Sequence, residues 1–247
     1  QAKWVLLCKH SLHVRDEVRR LLDALPELAL PQEAKDAVLV AAHFHDWGKA
    51  HRVFQETMLS NLAPEEEGKR KGELWAKRGQ SARRAKKHVR PYFRHEVASA
   101  IGLLPNNSNL EGWACDLAAY LAAAHHGRAR LGLRSLPRAR DQDPRYYRYL
   151  LGFRMPDDPE DGSDWRLENA LPATDLGDGV VTPELVIDMS IARIGVSEGG
   201  ERSWLDRMLD LRERLGPFRL AYLEALVRAA DARASKAEQR EGSDTRD

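Results

Sequence analysis

Two runs of small apolar residues, each followed closely by a doublet of metal-ligand type, point to a helical bundle for this chain. Val38-Leu39-Val40-Ala41-Ala42 leads into His45-Asp46. Leu117-Ala118-Ala119-Tyr120-Leu121-Ala122-Ala123-Ala124 leads into His125-His126. Runs that are apolar all round read as helices buried among others. The polar doublet at each end then emerges from the core where a cleft can form. Adjacent helical residues diverge by about 100°, so one doublet offers ligands in two directions. Neutral imidazole suits divalent transition metals, and a carboxylate can bridge two of them roughly 3.5–4 Å apart.

Helical periodicity runs through most of the remaining chain. It predicts helices over Trp4 to Leu25, closed by Pro26, and over Pro31 to Asp46, with Gly48 suited to the C-terminal end. Further helices are expected over Ala50 to Leu59, Arg94 to Leu104, Leu110 to His126, Ser203 to Leu215 and Pro217 to about Glu241. Pro105-Asn106-Asn107, Gly127 and Gly216-Pro217 supply the breaks. Pro64 to Arg90 reads as a charged mobile insertion carrying a helix across Trp75 to Lys87. Pro137 to Asn169 reads as irregular, and Val180-Val181 with Leu185 to Ile194 as one short hairpin. The expectation is a single all-α domain over 1–247. A basic insertion covers 60–92, and a loop-rich segment with the short hairpin covers 137–200.

The net charge of +1 hides a strong asymmetry. Between Lys69 and Arg94 eleven Lys/Arg face one acid, Glu73, and a second basic stretch runs from Arg128 to Arg148. Asp157 to Glu201 is mostly acidic. Such blocks fit a side that faces nucleic acid, although a basic run can equally be a solvated loop. No stretch approaches the roughly 18 apolar residues of a membrane span. With no secretion signal and no initiator Met, an excised cytoplasmic domain is expected. Cys8 and Cys115 stand far apart, so neither a disulfide nor a zinc ribbon is expected.

His10 in the first helix, His95 at the opening of another, and Asp231 among small residues near the end can join the two doublets. Burying an unpaired carboxylate is costly, which favours a metal or a basic partner for Asp231. The order H…HD…H…HH…D is far more specific than any one of its members. It resembles the HD domain of Cas3, the nuclease–helicase of type I CRISPR systems. The resemblance is carried by His10-Ser11-Leu12-His13-Val14, His43-Phe44-His45-Asp46-Trp47-Gly48-Lys49, Phe54-Gln55, Arg94-His95-Glu96, Ala124-His125-His126-Gly127 and Ala230-Asp231-Ala232-Arg233-Ala234-Ser235.

That resemblance implies an HD helical bundle holding one or two divalent ions (Mn2+, Co2+, Ni2+ or Fe2+, with Mg2+ admissible). It implies His10, His45, Asp46, His95, His125, His126 and Asp231 as ligands and cleavage of single-stranded DNA. Asp46 and Lys49 would be catalytic. Lys49, Arg94, Arg128 and Arg233 are candidates for contact with nucleic-acid phosphate. The implied partners are a superfamily 2 helicase, fused or separate, and a CRISPR RNA-guided surveillance complex. His13 stands where the motif often has an acid, which leaves His10 and His13 both open as the first ligand, with His10 in the motif position. Gly48-Lys49 follows a helix and is no Walker A loop.

Plainer readings attach to several residues. His43 reads as core or surface, His51 and His88 as solvated, and Trp47 and Trp113 as core. Ser99 and Ser235 fit ligand bonding and helix packing equally well. A small-molecule HD phosphohydrolase acting on nucleotides is the alternative activity; a closed structural metal module is disfavoured, because seven candidate ligands exceed a four-coordinate site.

Overall fold

The computed structural model describes residues 3–79, 84–88, 90, 92–104, 109–127, 131–133, 149–155, 164–193 and 202–240. Its framework is helical. The elements are β1 (Val5–Leu6), α1 (Leu7–Asp23), α2 (Gln32–Phe44), α3 (Arg52–Leu59), α4 (Pro64–Gly68), β2 (Trp75–Lys77), α5 (His95–Leu103) and α6 (Gly112–Ala124). There follow β3 (Tyr149–Leu150), β4 (Phe153–Arg154), α7 (Trp165–Glu168), β5 (Ala170–Leu171), β6 (Thr174–Asp175), β7 (Val181–Thr182), β8 (Leu185–Val186) and α8 (Trp204–Arg240). No helix among the described residues is long and apolar enough to cross a membrane.

α6 is the central helix: every residue from Ala114 to Ala124 is buried. α2, α5 and α8 pack around it, and α1 lies on α2 and α8. Alanine makes up much of the buried surface of both, at Ala34, Ala37, Ala41 and Ala42 of α2 and at Ala118, Ala119, Ala122 and Ala123 of α6. Small side chains let the two backbones approach closely, and both helices bring their C-terminal ends to one place. α8 is broken at Gly216 (φ 76°), followed by Pro217, as the Gly-Pro pair predicts.

Several expectations are corrected. Val5 and Leu6 do not open the first helix; they form β1 and pair with β2. The helix expected over Trp75 to Lys87 is replaced by that strand, whose Trp75 and Ala76 are buried. A three-residue strand is too short to leave a period in the sequence. Val180-Val181 and Leu185-Val186 do not pair with each other. β7 pairs with β6 and β8 with β5, in one register (Thr174 with Thr182, Leu171 with Leu185). The two halves of this hairpin are separated where Pro172 and Pro183 remove ladder donors. Within the stretch read as irregular, the described residues form the β3–β4 hairpin and α7. Pro105-Asn106-Asn107 lie outside the described residues.

Candidate metal centre

α2 ends at Phe44 and α6 at Ala124, so His45 and His125 are the C-cap residues. Helix C-terminal carbonyls lack intrahelical donors. Here the ring nitrogens fill that role: His45 Nδ1 lies 2.7 Å from the Ala42 carbonyl and His125 Nδ1 2.6 Å from that of Ala122. With Nδ1 held there, each Nε2 faces the Asp46 carboxylate, and the two rings meet edge to face at 4.9 Å between centroids. Both rings also stand at negative helix ends, which favours a cation between them.

Asp46 occupies the middle. Its Oδ1 lies 3.1 Å from His95 Nε2 and 3.7 Å from His125 Nε2; its Oδ2 lies 3.4 Å from His10 Nε2 and 3.3 Å from His45 Nε2. Lys49 Nζ is 2.5 Å from Oδ2 and donates also to the Ala76 carbonyl at 3.3 Å. His126 Nε2 stands 3.2 Å from His95 Nε2, and Asp231 Oδ1 stands 3.2 Å from His10 Nε2. The seven residues expected to meet do meet. His10 faces the centre, whereas His13 Nδ1 is turned to Glu238 Oε1 at 2.9 Å.

The donor set fits a divalent cation on the evidence of its unmet polar atoms. His10 Nε2, His45 Nε2, His125 Nε2 and Asp46 Oδ1 are buried and make no hydrogen bond. One such atom costs about 1–3 kcal/mol, and a cation beside the Asp46 carboxylate would satisfy several of them together. Two groups could each hold an ion, Asp46 with His95, His125 and His126, and Asp46 with His10 and His45; within each, the ligand atoms all lie within 4.8 Å of one another. Asp46 belongs to both.

Electrostatics point the same way. Burial pushes His95 down to about 4 and His125 well below its ordinary value, and it lowers His126 as well. These rings are therefore neutral and free to ligate at neutral pH. Burial would raise Asp46, but the Lys49 ammonium on its Oδ2 prevails and holds it well below the carboxylate range. His10 is raised: burial opposes this, yet the facing carboxylates of Asp231, Glu238 and Asp46 prevail.

Two residues that sequence reasoning missed complete the surroundings. Glu238 Oε1 accepts from His10 Nδ1 at 3.0 Å, and its Oε2 accepts from Lys77 Nζ at 2.8 Å. Lys77 also donates to Ser235, whose hydroxyl donates to Asp231 Oδ1 at 3.1 Å. Asp231, Ser235 and Glu238 are spaced by four and three residues, one stripe of a helix, and that spacing was the available signal.

Gly48 is needed for contact, not for a helix cap: a Cβ there would lie 2.0 Å from the His95 carbonyl oxygen and 2.7 Å from Ala98 Cβ. Ser99 accepts from Gly48 N–H at 2.8 Å and donates to the His95 carbonyl at 3.1 Å, so it docks this turn on α5. Gln55 ties the same turn to β2 through Lys49 O and both backbone groups of Trp75.

The basic run is only partly a solvated face. Arg70 stacks on Trp4, Arg78 donates to the Ser60 carbonyl, and Arg90 pairs with Glu168. Lys69, Lys71, Arg84, Lys86 and Lys87 are exposed. Arg94 leans on Glu96 at 3.6 Å, and Arg233, largely exposed, pairs with Glu17 at 2.6 Å. Arg128 lies outside the described residues. His43 and Trp47 are buried, as expected of core residues. His51 is not solvated: it is 1 % exposed, accepts from Val53 N–H and meets the Glu168 carbonyl at 3.0 Å. His88 is half-buried against Phe54 and bonds Thr57.

A helical bundle with a buried His-Asp centre at the ends of two alanine-rich helices defines an HD-type, metal-dependent phosphohydrolase. The chain belongs to the family described as Cas3, HD domain, whose model matches residues 1–171. Asp231, Ser235 and Glu238 lie beyond that match. No curated protein and no solved structure matches the chain.

Proposed function

We propose that this chain hydrolyses phosphodiester bonds of single-stranded DNA without sequence preference, as the nuclease module of type I CRISPR interference. The observation that carries the reading is Asp46, a single buried carboxylate common to two groups of candidate ligands. Divalent ions, when bound, activate water and neutralise charge on the phosphoryl oxygens. His10, His45 and Asp231 would serve one position and His95, His125 and His126 the other. Co2+, Ni2+ or Fe2+ suits this nitrogen-rich set better than a hard ion would, and Mn2+ is served by its carboxylates, Asp46 and Asp231.

Asp231 and His126 are the more exposed members, so substrate phosphate reaches the centre on their side. Lys49 adds positive charge beside Asp46 for the phosphate. Exposed Arg84, Lys86 and Lys87 give a backbone-tracking surface that reads no bases. Arg94 and Arg233 can join by releasing Glu96 and Glu17, with Arg128 as a further candidate. A superfamily 2 helicase would deliver the strand in the cytoplasm, and an RNA-guided surveillance complex would choose the target.

Incubation of circular single-stranded DNA with the protein and Mn2+, Co2+ or Ni2+ tests this. Nicking is expected, together with its loss in Asp46→Ala. Equal cutting by that variant would sink the reading. Phosphate release from free nucleotides without strand cleavage would replace it with a small-molecule hydrolase.

A further inference from the structure

A partner on the outer nitrogen fixes a ligand-type imidazole, and three rings of this centre show one, of two kinds. His45 and His125 use neutral backbone carbonyls. His10 uses Glu238, a carboxylate 4 % exposed, at 3.0 Å. Near His95 the carboxylate of Glu96 stands 3.7 Å from Nδ1, beyond hydrogen-bond reach. Lys77, reaching over from β2, pairs with Glu238 at 2.8 Å and places a positive charge beside the buried carboxylate. The same lysine bonds Ser235, which bonds Asp231, so one arm of β2 orients both groups that face His10.

We propose that Glu238 is a positioning residue that makes His10 the strongest imidazole donor of the centre, so that the metal position served by His10, His45 and Asp46 fills before its neighbour. A carboxylate on the outer nitrogen raises ligand basicity and fixes the tautomer, and loss of such a partner lowers metal affinity by about 10–100-fold. A backbone carbonyl fixes the tautomer but carries no full charge. The inference rests on the metal-centre reading above, and it assigns an order of filling that the ligand list alone does not contain.

Calorimetric titration of the metal-free chain with Mn2+ tests the affinity, and nitrogen-15 NMR of the imidazoles at pH 8 tests the tautomer. Glu238→Gln keeps shape and an acceptor and should weaken the tightest step by about 10-fold. Glu238→Ala should weaken it by up to about 100-fold and leave the looser step unchanged. His10 should be the Nδ1-protonated tautomer in the parent and a mixture in Glu238→Ala. A purely structural role would shift unfolding of the metal-free protein and leave that tautomer alone. An unaltered tightest step, equal losses in both steps, or an unaltered His10 tautomer overturns the assignment. A parent protein that takes up no metal overturns the metal-centre reading instead, and the tautomer measurement still decides the role of Glu238.

Discussion

Gly48 touches His95 through bare backbone: a Cβ on Gly48 would stand 2.0 Å from the His95 carbonyl oxygen. The turn that carries Asp46 and Lys49 is therefore docked directly on the first turn of α5. Gly48→Ala must push α5 outward and carry His95 away from Asp46, now 3.1 Å distant. Overpacking of this kind costs about 1–3 kcal/mol. Thermal unfolding should fall by roughly 5 °C in a chain of this size. Mn2+ affinity should fall with it. Parent-like values of both would show that the contact is not needed.

His125 shows the conflict between a site and its own stability. Its buried Nε2 has no hydrogen-bond partner, beside three other atoms in the same condition. Without metal, removal of the ring relieves that cost but also gives up the Nδ1 bond to the Ala122 carbonyl, so His125→Leu should change the stability of the metal-free protein by no more than about 1 kcal/mol. With Mn2+ the parent should pull well ahead, because it gains stability by binding and the variant gains much less. Thermal scans with and without Mn2+ measure both halves. An equal gain from Mn2+ in parent and variant contradicts the argument.

How much of this was readable in advance depends on how far each signal lies from its partners. His45-Asp46 and His125-His126 stand at the ends of apolar runs, so burial and placement were local properties. Glu238 was not: it sits among charged residues at the end of a long helix, and only its spacing from Asp231 marks it. Lys77 lies on a strand too short to have a period, so it was counted with a basic run. His51 has charged neighbours in sequence, but Phe93 and Phe153, far along the chain, pack on its ring. Tertiary packing overrode the local reading there.

Asn169 is the knot of the hairpin region. Fully buried, it donates to the carbonyls of Arg154 and Ile187 at 2.8 and 2.9 Å and accepts from Arg154 N–H at 2.9 Å. Asn169→Ala strands three backbone groups away from water. At about 1 kcal/mol or more each, the loss should total on the order of 3 kcal/mol. Urea unfolding should show the midpoint drop with little change in slope. A loss under about 1 kcal/mol would mean that water replaces the amide.

His51 gives the protein an acid sensitivity that is separate from the metal ligands. Its Nδ1 accepts from Val53 N–H at 3.2 Å, and its other nitrogen meets the Glu168 carbonyl at 3.0 Å. One acceptor and one donor describe a neutral ring, and a second proton would face the Val53 N–H. Burial, with the charge of Arg90 next, lowers its pKa to about 4. Between pH 6.5 and 4 the unfolded chain therefore takes up a proton that the folded chain refuses. Stability from this group is complete above pH 6.5 and falls with pH until the folded ring titrates near 4. The full difference is about 3 kcal/mol. His51→Gln cannot titrate. It should be less stable than the parent at pH 7.5, yet lose about 2–3 kcal/mol less on going to pH 4.5. The histidines of the centre are present in both proteins and cancel in the comparison. Urea midpoints at the two pH values measure the difference, and parallel losses would assign the acid sensitivity elsewhere.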